Sequence, residues 1–244
     1  MIKEKASNIN NLITNIPIFE TYLMNFFDIN HIFFTILGYP ISYLEFFGLV
    51  SGVVAVVLSS LANIWSWPLG IINVTLSFFL FFQVQLYPDM FLQVFFFVTN
   101  VMGWWRWAHP KPGEEDKHNY LKVSFLPLSK LLVYILISTL GTVVMAFLAT
   151  HIHEWLPSIF IKPSASPYID SFITVMSVMA TFLMIQKRAE CWIIWVVVDA
   201  VATYLYFVRD IKFYGLMYFA FCIIASFGFW NWWREYKSYS EMKA

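Results

Sequence analysis

A chain of 244 residues with 60% hydrophobic and only 12% charged side chains cannot wet the surface of an ordinary soluble domain, which carries about 25% charge. Fifteen Lys and Arg balance fifteen Asp and Glu, so no excess charge is available for a phosphate backbone, and no nucleic-acid partner is expected. The mean hydropathy of +0.67 and the 20% aromatic content point to a surface that faces lipid.

Residues 1–11 are polar, and the first apolar stretch is interrupted by Pro17, Glu20, Asp28 and His31, which is not the shape of a signal peptide. Over residues 10–37, Phe, Leu and Ile mix with Asn, Asp, Glu and His. That mixture predicts an amphipathic helix lying on the membrane surface, with an eighth span as the alternative.

A transmembrane helix needs about 20 mostly apolar residues. Seven such stretches follow: 41–61, with Glu45 its only charge; 67–86; 90–107; 128–150; 168–186, with Asp170 near its start; 191–208, holding only Asp199; and 213–233. Barrel strands would alternate and run about half as long, so the expectation is an all-α integral membrane protein. Cys191 and Cys222 fall inside these apolar runs and read as small buried hydrophobes, not as a disulfide. Lys and Arg between the spans divide nine (106, 111, 117, 122, 187, 188, 234, 237, 243) against five (3, 5, 162, 209, 212), which predicts a cytoplasmic C-terminus.

The chain carries an internal repeat. Tyr43-Leu44-Glu45 resembles Tyr168-Ile169-Asp170, and the same offset of 125 residues sets Trp67 over Trp192. After a two-residue slip Tyr87 and Met90 fall over Tyr214 and Met217, and each unit ends in a Trp cluster (104, 105, 107 and 230, 232, 233). Three spans, a linker span and three spans make two parallel repeats, an arrangement whose substrate sites lie between the repeats near the midplane. The segments are then 1–40, an amphipathic N-terminal part; 41–107, the first repeat; 108–167, a cytoplasmic loop, the linker helix and an external loop; 168–234, the second repeat; and 235–244, a cytoplasmic tail.

Polar side chains inside spans need a reason. Asp199 follows Trp195 by four and Trp192 by seven, so all three share a helix face. Two indoles and a carboxylate suit a flat aromatic cation. The alternative is an Asp bonded to a neighbouring helix and Trp side chains anchored at the interface. Gln93, Asn100 and Trp104 share a face of the third span, and Asn73 lies in the second. Amides suit hydroxyls or a carboxamide, or else bond helix to helix. Glu45 and Asp170 read as favourable charges at helix N-termini.

No catalytic residue, metal site or cofactor is expected. The cluster His151, His153 and Glu154 lacks zinc spacing, and no nucleophile elbow, phosphate loop or dinucleotide fingerprint occurs.

The elements Trp192-x-x-Trp195-x-x-x-Asp199, Tyr87-Pro-Asp-x-x-Leu-Gln93, Asn100-x-x-Gly103-Trp104-Trp105 and Trp67-Pro-Leu-Gly70 carry a resemblance over about residues 40–234. In them the chain resembles the PnuC family of bacterial vitamin transporters, particularly its Neisseria-type members. The resemblance implies a 3+1+3 fold related to the SWEET sugar transporters, residence in the bacterial inner membrane and a homotrimer. It implies uptake of nicotinamide riboside by facilitated diffusion, with trapping by cytosolic phosphorylation. It places substrate on Trp192, Trp195, Asp199, Gln93 and Asn100, and the residues themselves add Asn73 and Trp67. Other members carry thiamine or riboflavin, so the vitamin stays open at this point. An intramembrane enzyme or a non-transporting scaffold are the competing classes. The stretch 67–107 holds no Lys or Arg before Arg106, so a phosphorylated substrate is expected to be rejected.

Overall fold

The computed structural model describes residues 25–36, 38–83, 87–155, 166–208 and 212–241. A small hairpin of β1 (Ile32–Ile36) and β2 (Tyr39–Ser42) precedes the long helices α1 (Tyr43–Ser60), α2 (Ser66–Gln83), α3 (Tyr87–Ala108), α4 (Leu128–Trp155), α5 (Pro167–Ile185), α6 (Glu190–Val208) and α7 (Lys212–Glu241).

The hairpin departs from expectation. Most of the amphipathic helix expected over 10–37 lies outside the described residues, but Ile32–Ile36 is a strand, paired antiparallel with Tyr39–Ser42. Ile-Phe-Phe-Thr-Ile is a run of β-branched and aromatic residues, which favour a pleated surface. Its partner β2 leads straight into α1 through a capping box. The Glu45 carboxylate accepts from the Ser42 N–H (2.8 Å) and hydroxyl (2.9 Å), and the Glu45 N–H donates to Ser42 Oγ (3.2 Å). Glu45 is thus a helix-start residue, as its position implied.

Among the described residues six helices are long and apolar enough to cross a membrane by length and composition: α1, α2, α4, α5, α6 and the Gly215–Tyr239 portion of α7. The helix α3, expected as the third crossing, is not among them. Gln93, Asn100, Arg106 and three Trp dilute its apolar run of 22 residues. Two helices outrun their expected ends. The helix α4, expected as the linker, continues to Trp155 and absorbs His151, His153 and Glu154, and α7 continues through the expected tail to Glu241.

The chain divides into two compact units, Met1–Ala55 with Pro68–Val98 and Val56–Trp67 with Thr99–Ala244. In the first, Asn73 Nδ2 donates across to Gly48 O (2.8 Å), and Gln83 binds the segment before the hairpin through Phe27 O (2.6 Å) and the Ile29 N–H (3.0 Å). A cluster of Phe26, Phe33, Phe46, Phe47 and Tyr43 closes around the start of α1. In the second unit α4 packs on α5, α5 on α6 and α6 on α7. The buried face of α4 carries small residues, Ser138 and Ala146, and Gly141 meets Val175 of α5, the usual way for helices to approach closely in lipid.

Candidate functional site

The second unit is organised around a turn that occurs twice. At the end of α5, Lys187 adopts a left-handed conformation (φ 53°), with its N–H donating to Met184 O (2.9 Å) and the Arg188 N–H to Leu183 O (2.9 Å). At the end of α1, Ala62 (φ 54°) donates to Ser59 O (2.9 Å) and Asn63 to Leu58 O (3.0 Å). Both are Schellman closures, and every residue stands 125 positions from its counterpart. The next bonds repeat as well. Ser66 to Asn63 O and Cys191 to Arg188 O are 3.1 Å, while Trp67 to Ile64 O and Trp192 to Ala189 O are 3.2 Å.

These turns deliver Trp67 and Trp192 to equivalent places. A Cβ on Gly103 would overlap the Trp67 ring, and one on Gly228 would stand 2.7 Å from the Trp192 ring, so each indole lies where only glycine leaves room. One turn further along each helix, Trp107 and Trp232 are fully buried at 0% exposure. The four rings meet edge to face: Trp67 with Trp107 at 5.3 Å, Trp107 with Trp232 at 5.7 Å and Trp232 with Trp192 at 5.7 Å. The outer bonds are exchanged between the copies. Trp107 Nε1 donates to Met184 O at the end of α5 (3.0 Å), and Trp232 Nε1 donates to Ser59 O at the end of α1 (2.9 Å). Ser59 and Met184 are themselves counterparts, and they touch, Oγ to Sδ, at 3.3 Å.

Trp67 and Trp192 are therefore core residues in this conformation, 5% and 2% exposed. Their indole N–H groups are buried without a hydrogen-bond partner among the described residues. Further along the same face of α6, Trp195 is half-buried and Asp199 is 5% exposed. The Thr203 hydroxyl donates to the Asp199 main-chain carbonyl (2.6 Å), but the Asp199 carboxylate has no hydrogen bond or ion pair among the described residues. A carboxylate removed from water and given no donor is costly, which sets it apart from a side chain kept to hold helices together.

The amides divide. Asn73 is committed to the Gly48 carbonyl in the first unit, the helix-to-helix reading of that residue. Gln93, also in the first unit, and Asn100, in the second, are half-buried on α3. His151 Nδ1 sits 3.0 Å or less from Phe147 O, at 2.9 Å, in the last turns of α4, and no group of three metal-binding side chains occurs among the described residues. The sequence names Trp107 and Trp232 only as members of Trp clusters and Gly103 only in the family likeness, and does not single out Gly228. The signal was present, because all four obey the 125-residue offset; the two-residue slip at the start of α3 concealed it.

Residues 42–234 match the nicotinamide mononucleotide transporter family. The nicotinamide riboside transporter PnuC of Escherichia coli is 30% identical over 228 residues, covering 86% of this chain and 94% of the relative. That of Neisseria mucosa is 28% identical, covering 82% and 76%. A crystal structure of the vitamin B3 transporter PnuC superposes with a TM-score of 0.59 at 26% identity, over 80% of this chain and 83% of that one. With its apolar helices and a family match over residues 42–234, the chain is an integral membrane protein and belongs to the nicotinamide mononucleotide transporter family, that of the PnuC transporters.

Proposed function

We propose that this chain carries nicotinamide riboside across the bacterial inner membrane. The observation that carries the reading is Asp199: a nearly buried carboxylate without a hydrogen bond or ion pair among the described residues, one helical turn beyond a half-buried Trp, in a chain of this family. The substrate's pyridinium is flat and cationic. Trp195 offers it a ring face and Asp199 a counter-charge, each favourable once water is excluded. Gln93 and Asn100 serve the ribose hydroxyls and the carboxamide. Trp67 and Trp192 form the floor beneath, and Asn73 holds α2 against α1.

The arrangement is read as seven spans, α1 to α3 and α5 to α7 as parallel repeats with α4 as linker. Support comes from the twofold turn and the exchanged Trp bonds, which relate the end of α1 to that of α5 and the end of α3 to that of α7. Transport is by facilitated diffusion, with cytosolic phosphorylation trapping the product. The C-terminus is cytoplasmic, the protein is a homotrimer, and catalysis forms no part of the reading.

Calorimetric binding to the purified protein tests it, with nicotinamide riboside, thiamine, riboflavin and nicotinamide mononucleotide. Micromolar binding of the riboside alone is expected. The mononucleotide should fail because α1 to α3 contain no cation before Arg106 to meet its phosphate. Binding of thiamine in place of the riboside would keep the cation site and change the vitamin. Binding of none would overturn the assignment.

A further inference from the structure

The repeated turn is used differently in its two copies. At the turn after α5, residues 121–126 run extended across the backbone. Ser124 N–H donates to Lys187 O (3.1 Å) and Ala189 N–H to Ser124 O (3.0 Å). Leu126 N–H donates to Glu190 Oε1 (2.6 Å), and Arg188 Nη1 to Phe125 O (2.9 Å). In the turn after α1 the counterparts of Lys187 O and Ala189 N–H are Ala62 O and Ile64 N–H. Neither makes a hydrogen bond among the described residues. Both residues line a cavity of about 810 Å³, bounded by the turn, by the segment around Asp116 and Tyr120, and by the last turns of α7.

The cavity wall also has a charge preference. Its carboxylates are engaged within the protein: Asp116 Oδ1 accepts from the His118 and Tyr120 N–H groups (2.8 and 3.0 Å), Asp116 Oδ2 lies 3.9 Å from Lys187 Nζ, and Glu235 Oε1 accepts from the Tyr239 hydroxyl (2.7 Å). Its cations are not. Lys117 and Arg234 have no ion pair among the described residues, and Arg234 only stacks on Trp230 at 4.7 Å. Trp65, 64% exposed, stands at the rim as an apolar contact.

We propose that this cavity is a docking groove for an extended acidic peptide segment of a partner protein. The occupant pairs its backbone with Ala62 O and Ile64 N–H, as residues 121–126 pair with the equivalent turn, and sets carboxylates against Lys117 and Arg234. Pairing of an added strand with an open backbone edge is a general recognition mode. The proposal does not depend on which solute is transported.

The test is fluorescence anisotropy on the full-length detergent-solubilised protein. The probe is a fluorescein-labelled peptide of residues 119–126 carrying K122E and S124D. Saturable binding is expected, weakened by at least about tenfold in the double variant Lys117→Glu, Arg234→Glu and by N-methylation of the peptide amide at position 124. Both substituted side chains are exposed, and an unchanged unfolding temperature would show that the variant folds. The unmodified 119–126 peptide, which carries Lys122, should bind more weakly. No binding up to about 1 mM, or equal binding to the charge-reversed protein, would overturn the proposal. So would displacement of the peptide by inorganic phosphate or ADP with N-methylation having no effect, which would mark a small-anion site.

Discussion

Asp199 holds a carboxylate in a nearly dry position with no donor turned toward it among the described residues. If it serves a cationic substrate, Asp199→Asn should leave thermal stability equal or improved and weaken riboside binding by at least about tenfold, roughly 1.4 kcal/mol. Loss of stability with affinity intact would instead make it a structural residue. The two Trp residues of its face should separate in the same assays. Trp195→Ala should cost about 0.5–2 kcal/mol in binding, the range of a ring-to-cation contact, with a small effect on folding. Trp192→Ala should act chiefly on stability, by about 3–5 kcal/mol, because its ring is enclosed by Gly228 and Trp232.

Between helices, the exchanged bonds of Trp107 and Trp232 lock the ends of α5 and α1. Replacing either with Phe keeps an aromatic ring and removes one of two donors to a carbonyl that still accepts from the Lys187 or Ala62 N–H, a loss of about 0.5–1.5 kcal/mol. Their equivalence predicts nearly equal losses in chemical denaturation; a large inequality would mean that only one bond matters. The turn after α5 carries Lys187 and Arg188 where its twin has Ala62 and Asn63. Lys187 is buried, lies 4.6 Å over the Trp107 ring and faces Asp116. Burial pushes its ammonium below the ordinary lysine value, against the opposing pull of Glu235 and Asp116. Between that depressed value and the ordinary one the unfolded chain binds more protons than the folded chain. The group's contribution to stability therefore rises with pH through that window. Lys187→Met should abolish the rise, seen as a flat unfolding midpoint over the alkaline range.

Across the whole molecule, long apolar helices expose residues such as Leu128, Leu132, Leu136 and Leu140 along α4, a surface suited to acyl chains and unsuited to water. The orientation read from loop charges puts Lys111 on the cytoplasmic side. A Lys111→Cys variant should react with a membrane-impermeant thiol reagent in inverted vesicles and not in intact cells. Cys191 is fully buried and contributes no background, while Cys222, half-buried, is replaced by Ala as a precaution. Labelling from outside would reverse the topology and place the proposed peptide groove on the external face.

The apolar runs determined by themselves that the chain is helical and lipid-bound, because lipid offers a backbone no partner except its own. The 125-residue offset was legible too, since Trp67 and Trp192 are rare residues that each begin a helix beside the same turn. The face shared by Trp192, Trp195 and Asp199 follows from helical spacing alone. What covers that face does not. Trp192 is closed off because Gly228 on α7 lets its ring in and Trp232 caps it, and the Asp199 carboxylate, two turns on, has no partner among the described residues. The segment 121–126 was out of reach, since it is held by backbone bonds to the distant Lys187 and Ala189, which side-chain pattern does not encode, whereas the hairpin before α1 pairs close neighbours and its β-branched and aromatic run was there to be read. Local order is set by the chain's own period, but burial belongs to neighbours, and only the tertiary structure supplies them.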